Sequence, residues 1–334
     1  VSGSENVGGV CGYSYGTIEN SYNTGTVSGS ENVGGVCGYK FYGIIKNSCY
    51  NKGSVSGSKK VGGVCGYNNG SGTIENSYNT GTVSGSGDNI GGVCGYSYGT
   101  IENSYNTGSV SGSYYIGGVY GTNKGEIRNS YNTGSVSGLE NVGGVCGYNE
   151  STIENIYNTG TVNGLSYYIG GVCGRNLSGT IKNSYNTGSV SGSNNFVGGV
   201  CGYNNGTIEN SYYPKNCNAE GTTFTNNYGT EKTYAQFESG EVAYLLQGKQ
   251  EAEIWGQKIT KDKLPVLNSE NKVYKVTAYS SVGNEIISEI YTNKSATVTA
   301  PIKEGYNFDG WYVYDESNDN HYTGDVICSS REYN

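Results

Sequence analysis

Val7-Gly8-Gly9-Val10-Cys11-Gly12, followed by Thr17-Ile18-Glu19-Asn20-Ser21-Tyr22-Asn23-Thr24-Gly25, is one copy of a block that recurs along the first two-thirds of the chain. Its Gly-Gly pair begins at Gly8, Gly34, Gly62, Gly91, Gly117, Gly143, Gly170 and Gly198, so eight copies stand 26 to 29 residues apart. A fixed period of this length means a repeat architecture whose units each stack on their neighbours. Within a unit, β-branched and apolar residues alternate with polar ones in short runs, with no helical period between them. Strands are expected around residues 7–13, 17–22 and 26–28, with corners at Gly16, Gly25 and the Ser-Glu-Asn stretch. The fold class expected is all-β: a right-handed parallel β-helix of eight rungs spanning roughly 38 Å at ~4.8 Å per rung.

Four columns are expected to fill the core because they keep one residue type from rung to rung. These are the Val10 column, the Ile18 column, the Val27 column and the Tyr22 column, the last running through Tyr50, Tyr78, Tyr105, Tyr131, Tyr157, Tyr185 and Tyr212. The Glu19 column reads Glu19, Lys46, Glu75, Glu102, Arg128, Glu154, Lys182 and Glu209, and its alternating signs suit a solvent face that avoids stacking like charges. The Asn20 column, from Asn20 and Asn47 to Asn183 and Asn210, is expected to be an amide ladder bonding rung to rung.

Composition narrows the function. Of 334 residues, 57 are Gly and 34 Tyr, with no Met and one His, His321. That Gly content is more than double the usual ~7%, yet it carries no Gly-X-Y triplet, so collagen is excluded. A net charge of −8 without a basic stripe argues against nucleic acid as a partner, and no apolar run of membrane-spanning length occurs. The chain opens in mid-unit, Val1-Ser2-Gly3-Ser4 matching Val27-Ser28-Gly29-Ser30, which leads us to expect a fragment of a longer protein.

Catalysis has little to draw on. Residues 1–213 hold one Asp, Asp88, and no His, and no nucleophile-elbow, zinc-protease or phosphate-loop motif occurs. No enzyme and no cofactor are expected. Seven of the ten Cys form a column (Cys11, Cys37, Cys65, Cys94, Cys146, Cys173, Cys201) with Tyr120 in the remaining place. No Cys-x₂-Cys pair occurs, so zinc is not expected, and a ladder of reduced thiols acting as small hydrophobes is the plain reading. Strict alternation from an inward Val10 would turn Cys11 outward, and Tyr120 fits more easily outside; the facing of this column stays open. What varies between rungs is the corner before the Val7 column (Glu5-Asn6, Lys59-Lys60, Asp88-Asn89, Tyr114-Tyr115, Tyr167-Tyr168, Asn195-Phe196) and a second corner holding Tyr15, Phe41-Tyr42 and Tyr98. Variation in a repetitive frame is where a solenoid places its binding surface. Tyr114, Tyr115, Tyr167, Tyr168, Phe41 and Tyr42 are therefore the candidate ligand-binding residues, for a host glycan or an extracellular protein.

Gly34-Gly35-Val36-Cys37-Gly38, and Ile101-Glu102-Asn103-Ser104-Tyr105-Asn106-Thr107-Gly108-Ser109-Val110, resemble the GLUG-motif repeats of bacterial cell-surface proteins, adhesins and IgA-peptidase-type proteins among them, in which the repeats are non-catalytic. The departure is Val-Cys where the family has Leu and an aliphatic residue. The resemblance covers about residues 1–213. It implies a monomeric, secreted or wall-attached stalk or display scaffold. The alternatives are the non-catalytic spacer of a large surface peptidase and, from the Thr24/Thr26, Thr80/Thr82 and Thr159/Thr161 pairs, an ice-binding solenoid. Residues 214–268, with a capping-box start at Thr233-Tyr234-Ala235-Gln236 and a helix interrupted at Ser239-Gly240, resemble the small mixed cap that closes such arrays. Residues 269–334 are similar to the Listeria–Bacteroides repeat through 274–279, 296–301 and 304–312, which implies a small β-grasp-like domain, truncated after Val326-Ile327-Cys328.

Overall fold

The computed structural model describes residues 1–193, 196–220, 222–226, 228–267, 269–280, 285–302, 304, 307–314, 322–328 and 332–333, the residues 322–328 and 333 by their backbone. Two compact units divide the chain, Val1–Thr233 and Tyr234–Asn334. The first is a parallel β-solenoid of eight rungs. Identical columns pair in register, with Gly8 opposite Gly34, Cys65 opposite Cys94 and Ile127 opposite Ile153.

Each rung contributes to four stacks rather than three. In the first rung these are Glu5–Gly8, Cys11–Ser14, the pair Ile18–Glu19 and Tyr22–Asn23, and Val27–Ser28. The expected single strand over 7–13 is broken at the Gly-Gly pair, where the backbone turns. A Cβ on Gly35 would fall well inside contact distance of the Gly63 carbonyl oxygen. It would also lie 2.6 Å from the Asn51 side chain, so only Gly lets the corner close on its neighbours. This bend resets the strand alternation. Val36 and Cys37, adjacent in sequence, both point inward and are fully buried, which settles the facing of the Cys column. Thiols, Val10-column valines and Ile18-column isoleucines form one apolar cluster, and the Val7 and Val27 columns form another. The thiols are free among the described residues, and burial pushes those of Cys65 and Cys173 far above the ordinary range. Tyr120, easier to picture outside, is buried too; Ser97, where neighbouring rungs carry Asn, leaves room beside it.

Two expectations about the Ile18–Asn23 side are corrected. The Tyr22 column is not core: Tyr22 is 58% exposed, and the rings from Tyr50 to Tyr157 are half-buried on the outside, with only Tyr185 and Tyr212 covered. The inward residue is its neighbour Asn23. Asn23, Asn51, Asn79, Asn106, Asn132, Asn158 and Asn186 make the continuous amide ladder, each Nδ2–H donating to the next Oδ1 at 2.7–2.8 Å. The second Nδ2–H donates to the carbonyl two residues on, as from Asn106 to Gly108 at 2.7 Å. A polar residue is stable inside because both of its N–H groups are used. The Asn20 column does not form that ladder. All eight of its members turn the chain at φ 42–55°, a left-handed bend that Asn tolerates better than most residues. A second, shorter inner ladder runs Asn123, Asn149, Asn176, Asn204 at 2.7 Å per step.

The described residues of 214–233 lie over the last rung. Thr230–Lys232 pairs in parallel with Thr207–Pro214, and Val190 N–H donates to the Cys217 carbonyl at 2.9 Å. Thr225 Oγ1 accepts from the Phe196 and Val197 amides. In the second unit, helices α1 (Tyr234–Glu238) and α2 (Glu241–Gln247) are separated at Ser239-Gly240, where Gly240 has φ 91°. Phe237, Leu246 and Trp255 form its buried centre. Beyond residue 269 the described residues give three separate antiparallel pairs: Tyr274–Tyr279 with Ile286–Thr292, Val298–Thr299 with Glu332–Tyr333, and Trp311–Tyr314 with Tyr322–Cys328. These pairs do not by themselves make a β-grasp sheet, so that reading stays an expectation. Gly305, Tyr306 and His321 lie outside the described residues.

Candidate ligand-binding face

The stack that begins with Cys11–Ser14 has Cys and Asn inside and, between them, a column pointing out: Tyr13, Tyr39, Tyr67, Tyr96, Thr122, Tyr148, Arg175 and Tyr203. Its fixed place two residues after each Cys-column position is legible in the sequence. It is flanked by both variable corners, and the six candidate residues fall into two clusters along its edges.

Phe41 and Tyr42 belong to the first cluster. Their rings meet edge-on at 4.4 Å, and Phe41 lies 5.5 Å from Tyr15 and 6.2 Å from Tyr39. Tyr13 stacks on Tyr39 at 4.7 Å. Tyr114, Tyr115, Tyr167 and Tyr168 belong to the second cluster, on rungs five and seven. Tyr114 and Tyr167 are 42% and 44% exposed. Tyr115 packs edge-on against Tyr148 at 5.3 Å, and Tyr168 against Tyr203 at 5.3 Å and Phe196 at 5.2 Å. Asn195 lies outside the described residues.

The backbone under this second cluster is unusual. Position 6 of the first rung and its equivalents are left-handed throughout: Asn6, Asn32, Asn89 and Asn141 at φ 51–64°, but also Lys60, Tyr115, Tyr168 and Phe196 at 49–71°. Asn is at ease there; a large side chain is not, at a cost of roughly 1–2 kcal/mol per residue. Where Asn occupies the corner it bonds to its neighbour in the chain, as from Asn141 Nδ2 to Glu140 Oε1 at 3.2 Å, or to the Asn of the adjacent rung, as from Asn32 Nδ2 to Asn6 Oδ1 at 3.0 Å. Where an aromatic occupies it, the ring lies against the outward column.

Other candidate chemistry is dispersed. In the Glu19 column, Lys182 pairs with Glu154 at 3.0 Å and Lys46 with Glu19 at 4.0 Å, partly exposed ion pairs in register across rungs. Among the described residues no group of three or more His, Cys, Asp or Glu side chains is placed to hold a metal ion. No helix is long and apolar enough to cross a membrane. Thr24 and Thr26 flank a corner between two strands rather than lying along one flat face.

The GLUG motif model matches residues 3–28, 57–84, 86–111, 138–163 and 166–191, so the solenoid carries GLUG motif repeats. Among solved structures, one described as a "putative immunoglobulin A1 protease" from Bacteroides ovatus is similar at 22% identity, with a TM-score of 0.39 over 76% of each chain. At that score the likeness carries no argument here. No curated protein matches the sequence.

Proposed function

We propose that this chain is a non-catalytic scaffold of a secreted or cell-surface protein, and that the tyrosine-rich outer face binds a host or matrix glycan along the edge from Tyr114 to Phe196. The observation that carries the reading is the left-handed backbone of Tyr115, Tyr168 and Phe196. Four other rungs place Asn at the same position without strain, so aromatic rings are kept there against the local preference of the chain. Strain of this kind concentrates where a surface has work beyond folding. Exposed aromatic rings offer apolar faces and phenolic hydroxyls to a sugar, and such anchors dominate binding energy. Tyr114 and Tyr167 stand two rungs apart, roughly 10 Å along the axis, which suits a few sugar residues.

A glycan array probed with the intact chain tests this directly. Replacing Tyr114, Tyr115, Tyr167 and Tyr168 with Ser-Asn pairs is expected to abolish array binding while leaving the circular dichroism spectrum unchanged. Equal binding by the parent and the folded variant would make the solenoid a passive stalk.

A further inference from the structure

Arg175 interrupts the outward tyrosine column in the middle of the second cluster. Its guanidinium carbon lies 5.2 Å from the Tyr168 ring centre, 5.5 Å from Tyr203 and 5.8 Å from Tyr148. Three phenol rings thus surround one cation, and cation–π attraction holds it in place. No carboxylate pairs with it among the described residues. Lys52, which lies over the Tyr50 ring at 5.0 Å, and Lys59 share that lack of a carboxylate, but Lys52 meets one ring and Arg175 three. The remaining outer cations of the array are paired. Lys46, Lys60, Lys124, Arg128 and Lys182 each meet a Glu within 4.0 Å. Lys60, on the same outward face, lies 4.7 Å from the Tyr67 ring centre, yet its charge is answered by Glu31 at 2.8 Å. Glu150, beside Tyr148, is already engaged by Lys124 at 3.1 Å.

The guanidinium is half-spent. Its Nε is enclosed without a hydrogen-bond partner, while its terminal amino groups are not enclosed and make no hydrogen bond to the protein among the described residues. A fixed, planar cation with its outer fork free is the shape that accepts a carboxylate through two parallel hydrogen bonds. The exposed rings of Tyr167 and Tyr114 stand on the same edge to take an apolar sugar face.

Resting on the glycan-binding reading above, we propose that the Arg175–tyrosine cluster selects carboxylate-bearing sugars, so that the ligand is an acidic polysaccharide rather than a neutral one. The sugar carboxylate pairs with the Arg175 fork, and neighbouring sugar rings lie on Tyr167 and Tyr114. An acidic peptide would answer the cation equally well but would leave the exposed ring faces without their complement.

The test is calorimetric titration of the intact chain with hexagalacturonate, with the same oligosaccharide after reduction of its carboxylates to alcohols, and with an oligoglutamate of equal charge. We expect hexagalacturonate to bind at least about tenfold more tightly than either, and to weaken as salt is raised. Arg175→Tyr restores the residue this column usually holds, so the fold should survive; it should cost at least about tenfold in hexagalacturonate affinity. Tyr167→Ser should weaken both oligosaccharides alike. Equal affinity for acidic and reduced sugar, unmoved by Arg175→Tyr, would overturn the proposal while leaving a glycan-binding edge. Oligoglutamate binding as well as hexagalacturonate would overturn it in favour of a protein partner. No binding of hexagalacturonate to a folded parent would overturn it outright, and the array would then decide the broader reading separately.

Discussion

The solenoid carries two outward columns of tyrosine, and they behave differently. The Tyr22 column is uniform: from Tyr22 to Tyr185 each ring lies 4.7–5.3 Å from the next, with planes within 10° of parallel. The Tyr13 column begins as a stack but tilts to near-perpendicular at Tyr39–Tyr67 and Tyr67–Tyr96, then is interrupted by Thr122 and Arg175. In the first column every ring has the same neighbours, so any change disturbs two contacts at once. In the second, most rings meet edge-on, and several also pack against variable corner residues. Uniformity marks a column that holds rungs together, and irregularity marks one that faces something else.

Alkali should strain the buried rings of both columns. Burial pushes the Tyr67 hydroxyl up to about 12 and those of Tyr157 and Tyr185 higher, and Tyr148 likewise reaches about 12. Because these folded values stand above the unfolded one near ~10, the neutral rings favour the fold below that pH. Stability should therefore hold up to about pH 10 and fall steadily towards pH 12 and beyond. Phenolate absorbance and circular dichroism followed together would show it. All tyrosines ionising near the ordinary value with the fold intact would contradict the picture.

Just inside the uniform column, Asn106→Leu would remove the acceptor of an Asn79 N–H and the side-chain donor to the Gly108 carbonyl in the interior, while Asn132 Oδ1 keeps the Gly134 amide. A loss of roughly 3 kcal/mol is expected in urea unfolding, since each stranded group costs about 1–3. A loss below about 1 kcal/mol would mean the ladder contributes little. Tyr131→Ala, in the uniform stack, should cost about 2 kcal/mol, and Tyr148→Ala about half of that. Equal losses would erase the contrast between the columns. Tyr168→Asn puts the favoured residue back into a left-handed corner, so stability should hold or rise by up to about 1 kcal/mol while glycan binding falls. The smallest effect belongs to Lys46→Glu. Three carboxylates would then stack in the exposed charge column, costing under about 1 kcal/mol at low salt and less as salt rises. A salt-independent loss of several kcal/mol would show that this column is not a solvated face.

How far the sequence could be read depends on where each residue sits relative to a bend. The Val27 and Ile18 columns lie within strands, and their constancy alone placed them inside. Tyr22 and Asn23 lie side by side at the end of a stack. There hydrophobicity suggests Tyr inward, but the hydrogen-bond inventory of Asn reverses the assignment, because the narrow interior accepts an amide whose every N–H finds an oxygen. Cys11 was ambiguous for a related reason: alternation cannot be counted through a Gly-Gly corner. Of the ligand-binding candidates, the corner tyrosines showed themselves by differing from the frame. Arg175 did not, since its meaning comes from rings on the neighbouring rungs that converge only when the chain is wound.

Every amide in the Asn23 ladder points the same way, donating toward the C-terminal end, until Asn186 meets the Cys217 sulfur at 3.8 Å. The junction above any rung thus has the same polarity as the junction below it. Excising one complete turn would bring Asn51 into the place of Asn79 and leave the chain of donors unbroken, and inserting one would lengthen it likewise. The ladder therefore sets no fixed number of rungs: an array one turn longer or shorter would keep it continuous without any change in the turns that remain.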